Sequence, residues 1–318
     1  LDDNGFDLTW VGIDLENQSR NDKLDELGIE YSAIHANGVL NNIRTGMTRS
    51  WDLLEVDNYD FFLCQPRPPF CDIENKILHT LIDKFLDAGK AVFVWEQDMF
   101  TDGFTDRMKE EVVFLHPAEL PKGEFKNEHY FPFFTFENRY RHVEDEQRDI
   151  DFLFMGNIYG RQPQALQFFG QLNDAEFDKL VFGSWIADEE RREFSSQFDQ
   201  FEFAGSTEHW AALPTMSKAK ATLHIVPDFA RDRGLMTARV FTSHMAKCLC
   251  FCDAGIVGAE KFFPPELIVK DGNEIKERWD DVMANREDIL ARRELLMKDF
   301  TVENAVSRFK ELCAKYVK

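Results

Sequence analysis

Three side chains stand where a phosphate-bearing ligand could be held and an attacking group activated. Arg239 falls in the first turn of the helix-like segment TARVFTSHMAKC. A helix start and a guanidinium together suit a diphosphate. Arg161 follows Gly160 in DIDFLFMGNIYGR. That run reads as a strand, a small-residue turn containing Asn157, and then the helix QPQALQFFGQL. The order aims free backbone N–H groups and a positive charge at one point. Asp98 comes just past the strand AVFVW, where a carboxylate facing a cleft could deprotonate an attacking hydroxyl, with Glu96 as a competitor. Each residue also has a plainer reading. Arg239 could pair with Asp228 or Asp232, Arg161 could be an ordinary helix-start arginine, and Asp98 could be a cap or a solvated turn carboxylate. Arg231 and Arg233 precede the helix of Arg239 in a loop that faces either a ligand or solvent. Arg44, Arg49, Arg67, Arg139 and Arg141 are candidates for an anionic acceptor or scattered salt-bridge partners, and Arg67 sits in the stiff turn QPRPPF.

These residues need a scaffold, and the hydrophobic pattern supplies one. Phe6–Ile13, Tyr31–Ile34, Tyr59–Cys64, Ala91–Trp95 and Val112–Leu115 read as strands. Asn17–Leu27 is helix-compatible, and Glu74–Ala88 carries apolar residues at helical spacing with Gly89 behind it. The chain from Leu115 to Arg148 reads as irregular, and its ENRYRHVEDEQR segment as a linker. A second alternation follows: strands at Phe152–Met155, Leu180–Phe182, Phe201–Phe203, Ala221–Val226, Cys248–Cys252 and Leu267–Val269. Helices are expected at Gln162–Leu172, Glu208–Lys218 and Thr237–Ala246, with largely helical chain from Ile275 onward. Alternating β and α predicts an α/β fold of two doubly wound parallel sheets, residues 1–145 and 146–318, with ligands at the carboxyl ends of the strands. The opening LDDNGFDLTWVGID reads as the end of a helix, a turn and a strand, so an earlier strand and helix are expected before it.

The totals set bounds. Among the 318 residues, 44% are hydrophobic and 31 are phenylalanine, ample for two cores. The net charge of −21 argues against coating an anionic polymer with the whole surface but leaves room for a local basic cleft. No apolar run approaches the ~20 residues a membrane span needs, and no signal peptide is visible. Six cysteines include no CxxC pair, and Cys248, Cys250 and Cys252 alternate along one strand. They read as reduced packing thiols, which fits a cytoplasmic protein. No Walker loop, HExxH, GxSxG or clustered metal-ligand spacing occurs.

In the order and spacing of its segments the chain resembles the DNA β-glucosyltransferases of T-even phages and, more broadly, two-domain GT-B glycosyltransferases. The resemblance runs through NGFDLTWVGIDLEN, ANGV, VDNYDFFLC, DIDFLFMGNIYGR, FGS, FEFAGS and RDRGLMTARVFTSHMAKCLCFCD. It implies a GT-B fold and a UDP-sugar donor. Arg239, Arg161 and helix N-termini would hold the diphosphate, Asn157 and Arg233 would belong to the donor site, and Gly205 and Ser206 would meet uracil. The family's ribose-binding glutamate is replaced by Thr242 with Ser243 beside it, and one phosphate-loop arginine is replaced by Tyr159. Asp98 would be the catalytic base. The acceptor would be a hydroxymethylated pyrimidine flipped out of duplex DNA into a pocket near Phe70, Trp95 and Phe100, with Arg44, Arg49 and Arg67 on the phosphates. The enzyme would act as a monomer, and a divalent metal is compatible but required by no motif. Two alternatives stand beside this: a GT-B enzyme acting on a cell-surface glycan or protein, and a non-catalytic nucleotide-sugar-binding module.

Overall fold

A computed structural model describes residues 10–14, 31–35, 56–64, 72–97, 103–135, 148–206 and 211–318; for 10–14, 31–35 and 72–77 the description is of the backbone. The chain divides into two compact units. One comprises Leu1–Leu63, Phe70–Val92 and Arg308–Lys318, the other Cys64–Pro69 and Phe93–Ser307.

Strands β1 (Trp10–Asp14) and β2 (Tyr31–His35) pair in parallel. Strands β3 (Phe61–Cys64), β4 (Ala91–Trp95), β5 (Val113–His116) and β6 (Asn127–Tyr130) follow one another across a four-stranded sheet. The apolar runs seen in the sequence fill its middle: Val92, Phe93 and Val94 have no exposed surface. Helix α1 (Asp72–Asp87) buries Leu81, Ile82 and Phe85 and closes with Gly89 N–H on Leu86 O. The short α2 (Asp106–Glu111) starts at Thr105, whose hydroxyl accepts from Met108 N–H.

One strand departs from the sequence expectation. Chain predicted to be irregular contains β6, whose sequence NEHY has no apolar alternation. Parallel pairing with β5 holds it, and the Glu128 carboxylate accepts from the Lys122 and Gly123 N–H groups. Tertiary partners, rather than strand propensity, make it a strand.

The second sheet has six parallel strands in the order β12-β11-β10-β7-β8-β9. They are β7 (Ile150–Met155), β8 (Lys179–Phe182), β9 (Glu202–Phe203), β10 (Ala219–His224), β11 (Leu249–Asp253) and β12 (Ile268–Val269). Between and after them run α3 (Gln162–Leu172), α4 (Glu189–Ser195), α5 (Ala212–Ser217), α6 (Asp228–Arg231), α7 (Ala238–Met245), α8 (Gly272–Ala284), α9 (Arg286–Met297) and α10 (Val302–Tyr316). Alternation along β7 sends Phe152 and Phe154 into one core and Leu153 into another, the mark of a sheet covered on both faces. Phe168, Phe169, Trp185, Phe198 and Phe251 fill the larger core. Cys248, Cys250 and Cys252 are free and fully buried there or beside it, and burial pushes the Cys248 thiol up to about 12.

The strand order decides where a ligand can sit. From β7 the chain winds to β8 and β9 on one side; from β10 it winds to β11 and β12 on the other. Helical connections therefore leave in opposite directions at the β7–β10 boundary, opening a crevice at the carboxyl ends of those two strands.

Candidate functional site

Arg239 lies across that crevice. It stands in the first turn of α7 and reaches back over the sheet. Its Nε donates to Met155 O at the end of β7 (2.8 Å) and its Nη1 to Leu223 O near the end of β10 (3.4 Å). The guanidinium carbon is 4.3 Å from the Phe154 ring centroid, so the cation also rests on an aromatic face. Nη2 has no hydrogen-bond partner among the described residues and lies directly over Gly156. A Cβ at Gly156 would stand 2.1 Å from that nitrogen, so the close approach exists because the residue is glycine.

No carboxylate meets Arg239 among the described residues, so the surface ion pair allowed by the sequence is not formed. Asp228 instead accepts from Gln164 Nε2 (2.6 Å) and lies 4.0 Å from Arg231. Burial, and then the charge of Arg161, hold the Arg239 pKa below the ordinary arginine value, at about 9. An arrangement that disfavours its own positive charge is one that an arriving anion relieves.

Arg161 joins the same two strands one layer out. It caps the start of α3, and its Nη1 donates to Asn157 O (2.8 Å) and its Nε to Ile225 O (3.3 Å), just past β10. The turn it belongs to is tightly laced. Asn157 Oδ1 accepts from Ser184 N–H (3.0 Å), Gly156 O accepts from the Trp185 indole (2.6 Å), and Gly183 N–H donates to Gly205 O (2.7 Å). Gly183 has φ +145°, and a Cβ there would meet Gly156 O at 2.1 Å. The ends of β7, β8 and β9 thus form one rigid rim. Ser184 Oγ is buried in it without a partner among the described residues.

Tyr159 is 61% exposed on this rim. The Arg191 guanidinium stacks over its ring at 5.0 Å and donates to its hydroxyl at 3.1 Å. A positive charge therefore stands beside the position where the resemblance expects an arginine, delivered from α4.

The other predicted residues separate into groups. Thr242 is half-buried and donates its hydroxyl proton to Ala238 O (2.9 Å), so what it can offer a ligand is an acceptor lone pair. Ser243 differs from its expected role beside Thr242: it is fully buried, donates to Val240 O (2.8 Å) and accepts from Arg293 (2.9 Å). Its position one residue on turns it into the core. Arg233 donates to Pro121 O (2.8 Å), and Arg231 lies 3.6 Å from buried Asp253, stacked on Gly255. Gly205 belongs to the rim, and Ser206 beside it is exposed. Trp95 packs against Phe131, Phe133 and Phe134. Asp98, Arg44, Arg49, Arg67, Arg139, Arg141, Phe70 and Phe100, and the expected linker apart from Arg148, lie outside the described residues. Among the described residues no group of three or more His, Cys, Asp or Glu side chains converges as metal ligands would, and no helix is long and apolar enough to cross a membrane.

Sequence reasoning missed Gly156 as a site residue, Trp185 and Arg191. The glycine was visible at a strand end, but nothing local announces that an arginine from eighty residues away will occupy its missing side chain.

No protein-family model matches the sequence, and no curated protein matches it. Solved structures do. The β-glucosyltransferase of phage T4 aligns with a TM-score of 0.60 over 98% of this chain and 100% of that one, at 13% identity. The same phage enzyme in complex with UDP and Mn2+ aligns with a TM-score of 0.63 over 96% and 99%, at 12% identity. A glycosyltransferase involved in avilamycin A biosynthesis aligns with a TM-score of 0.50 over 81% and 97%, at 14% identity. Likeness at these identities is likeness of fold: this is an α/β chain with two parallel sheets of the GT-B kind, as the sequence resemblance implies.

Proposed function

We propose that the protein is a glycosyltransferase that moves a sugar from a UDP-sugar to the hydroxyl of a 5-hydroxymethylated pyrimidine in duplex DNA. The observation that carries the donor half is Arg239: a half-buried guanidinium at the topological switch point, without a carboxylate among the described residues and with Nη2 unspent over a glycine. A diphosphate placed there accepts from Arg239, with Arg161 on the neighbouring turn. Both cations gain most as negative charge gathers on the leaving UDP, which is how such a site lowers the barrier. Thr242 accepts from a ribose hydroxyl, and the rim of Gly205 and Ser206 meets the base. A divalent cation would find its ligands chiefly on the diphosphate oxygens.

The acceptor half rests on the likeness to the phage T4 DNA-modifying enzyme and on sequence position. Asp98, three residues beyond β4, takes the proton of the acceptor hydroxyl. The target base leaves the duplex to reach it, and Arg44, Arg49 and Arg67 meet the phosphates. Residues 1–145 form the acceptor-side domain and 146–318 the donor domain. The net charge of −21 favours the rival reading, in which the acceptor is a glycan or a protein.

The test has two arms. UDP, but not uridine, should raise the melting temperature, because a ligand that binds the native state stabilises it by mass action; no shift sinks the donor assignment. Labelled sugar should then pass from UDP-glucose or another UDP-sugar to hydroxymethylated duplex and not to unmodified duplex. Transfer should disappear in Asp98→Ala with UDP binding intact. A gel shift on the modified duplex that is absent even at low salt, where phosphate contacts are strongest, removes DNA as acceptor.

A further inference from the structure

Arg293, on α9, has no exposed surface at all. Its Nη2 donates to Val240 O (2.8 Å) and Ser243 Oγ (2.9 Å), and its Nη1 to Cys248 O (3.2 Å). The guanidinium carbon lies 5.0 Å from the Phe263 ring centroid. Among the described residues no carboxylate pairs with it and its buried Nε has no partner. This is a poor way to stabilise a fold. Buried charges are costly to desolvate, and apolar groups of similar volume commonly serve as well or better.

What the side chain does achieve is mechanical. Val240 directly follows Arg239, Ser243 lies one turn further along α7, and Cys248 leads into β11. One planar group with fixed donor directions ties the helix to the strand after it. The helix needs such a tie. It has eight residues, too few to hold itself, and Thr237 makes no side-chain cap bond at its start. The tolerance at its working end is small, because Arg239 Nη2 fits over Gly156 only for lack of a Cβ.

We infer that Arg293 is a positioning residue for the anion site, holding α7 so that Arg239 keeps its reach across the β7–β10 crevice. The inference rests on the nucleotide reading of that site. Arg293 touches no ligand itself; its effect passes through Arg239.

The experiment is a double-mutant cycle in the full chain, with UDP and inorganic pyrophosphate as probes by calorimetry and melting temperature measured alongside. Arg293→Met should weaken both probes about tenfold while the melting temperature holds or rises, since an unpaired buried charge is removed. A merely structural role predicts that both fall together. In an Arg239→Ala background the same change should weaken binding no further, because residues acting as one unit are not additive. Ser243→Ala, which removes one of the three acceptors together with the Ser243 bond to Val240 O, should weaken UDP about threefold. It carries the test alone should Arg293→Met not fold. Unchanged affinity in Arg293→Met or, failing that, in Ser243→Ala overturns the inference, as do losses that simply add to those of Arg239→Ala. A wild-type protein that binds neither probe overturns the nucleotide reading and this inference with it. Wild-type binding with unaffected variants overturns this inference and leaves that reading standing.

Discussion

The two ends of the six-stranded sheet both carry clustered cations, and they use them differently. At the amino ends of the strands, Arg148, Lys220 and Arg286 line a cavity of about 500 Å³ with Trp279, Asp280 and Met283. Lys220 is paired with Asp151 and Arg286 with Glu287. Arg148 places both terminal nitrogens on carbonyls, Ala219 O and Ala246 O, at 2.6 Å each. Arg286 also reaches Lys247 O. Arg148 and Arg286 thereby serve the carboxyl end of α7, where free carbonyls and the helix dipole both call for positive charge. At the carboxyl ends of the strands, Arg239 leaves Nη2 unspent and has no acid beside it among the described residues. Arg286 keeps only its Nε unpartnered among the described residues, and that atom is buried; the terminal Nη2 that Arg239 leaves over Gly156 marks the carboxyl end instead, and that is the end the strand order also selects.

Removing the unspent donor tests this contrast most directly. Arg239→Ala should weaken UDP about 100-fold, the worth of one to two charge-assisted hydrogen bonds on a diphosphate. Stability should change little, because the lost carbonyl contacts are offset by the loss of an uncompensated charge. Wild-type affinity in this variant, measured by calorimetry, would dissolve the distinction between the two ends. Gly156→Ala is subtler. The new Cβ would displace Nη2 from 2.1 Å away, yet the displaced atom is the tip of a flexible side chain and the glycine has no positive φ. The protein should fold with near-native stability and bind UDP about tenfold more weakly. A large fall in melting temperature with normal affinity would mean that the glycine serves the turn and not the arginine.

These contacts mark what the sequence could and could not tell. The scaffold was legible because its signals are local: AVFVW and DIDFLFM are buried strands, QPQALQFFGQL begins and ends as predicted, and β–α alternation implies a parallel sheet. Arg239 and Arg161 were legible as candidates because each stands at a strand–turn–helix junction. The sequence could not say which side of a helix a residue faces when its neighbours are equally polar. Thr242 and Ser243 were grouped as ribose contacts, yet only Thr242 is partly open. Nor could it find Arg293. That residue lies in RRELLM on an otherwise charged helix, and its burial follows from carbonyls fifty residues away. β6 was missed for the same reason, since its stability comes from its neighbour and from Glu128.

A pH experiment extends the comparison to His224, which ends β10 inside the cationic end. The ring is fully buried, with Nε2 3.1 Å from Leu235 O and Nδ1 without a partner among the described residues. Burial first, and then the charges of Arg239, Arg161 and Arg293, push its pKa down to about 3 from the ordinary 6.5. Between those values the folded imidazole stays neutral while the unfolded one takes up a proton. Its contribution to stability is therefore complete above pH 6.5 and is lost as the pH falls toward 3. The loss should be on the order of a few kcal/mol at the acid limit. His224→Gln should flatten denaturant-derived stability across that window relative to wild type. An equally steep acid limb in the variant would mean that other groups own it.

The smallest expected effect comes from the other end of the sheet. Burial works to raise the Asp151 pKa, but the Lys220 ammonium and the Asp178 N–H outweigh it and hold the carboxyl below its ordinary value. Lys220 is 43% exposed, however, so solvent screens the pair. Lys220→Ala should lower stability at neutral pH by no more than about 1 kcal/mol. The Asp151 share of stability is present above the unfolded carboxyl pKa and disappears as the pH falls, so the variant and wild type should converge in acid. UDP affinity should not move, since Lys220 is already spent on Asp151 and stands at the far end of its strand from His224. A tenfold loss of UDP affinity in this variant would instead make the cavity among Arg148, Lys220 and Arg286 an anion site in its own right. Unspent donors would then no longer be what separates the two ends.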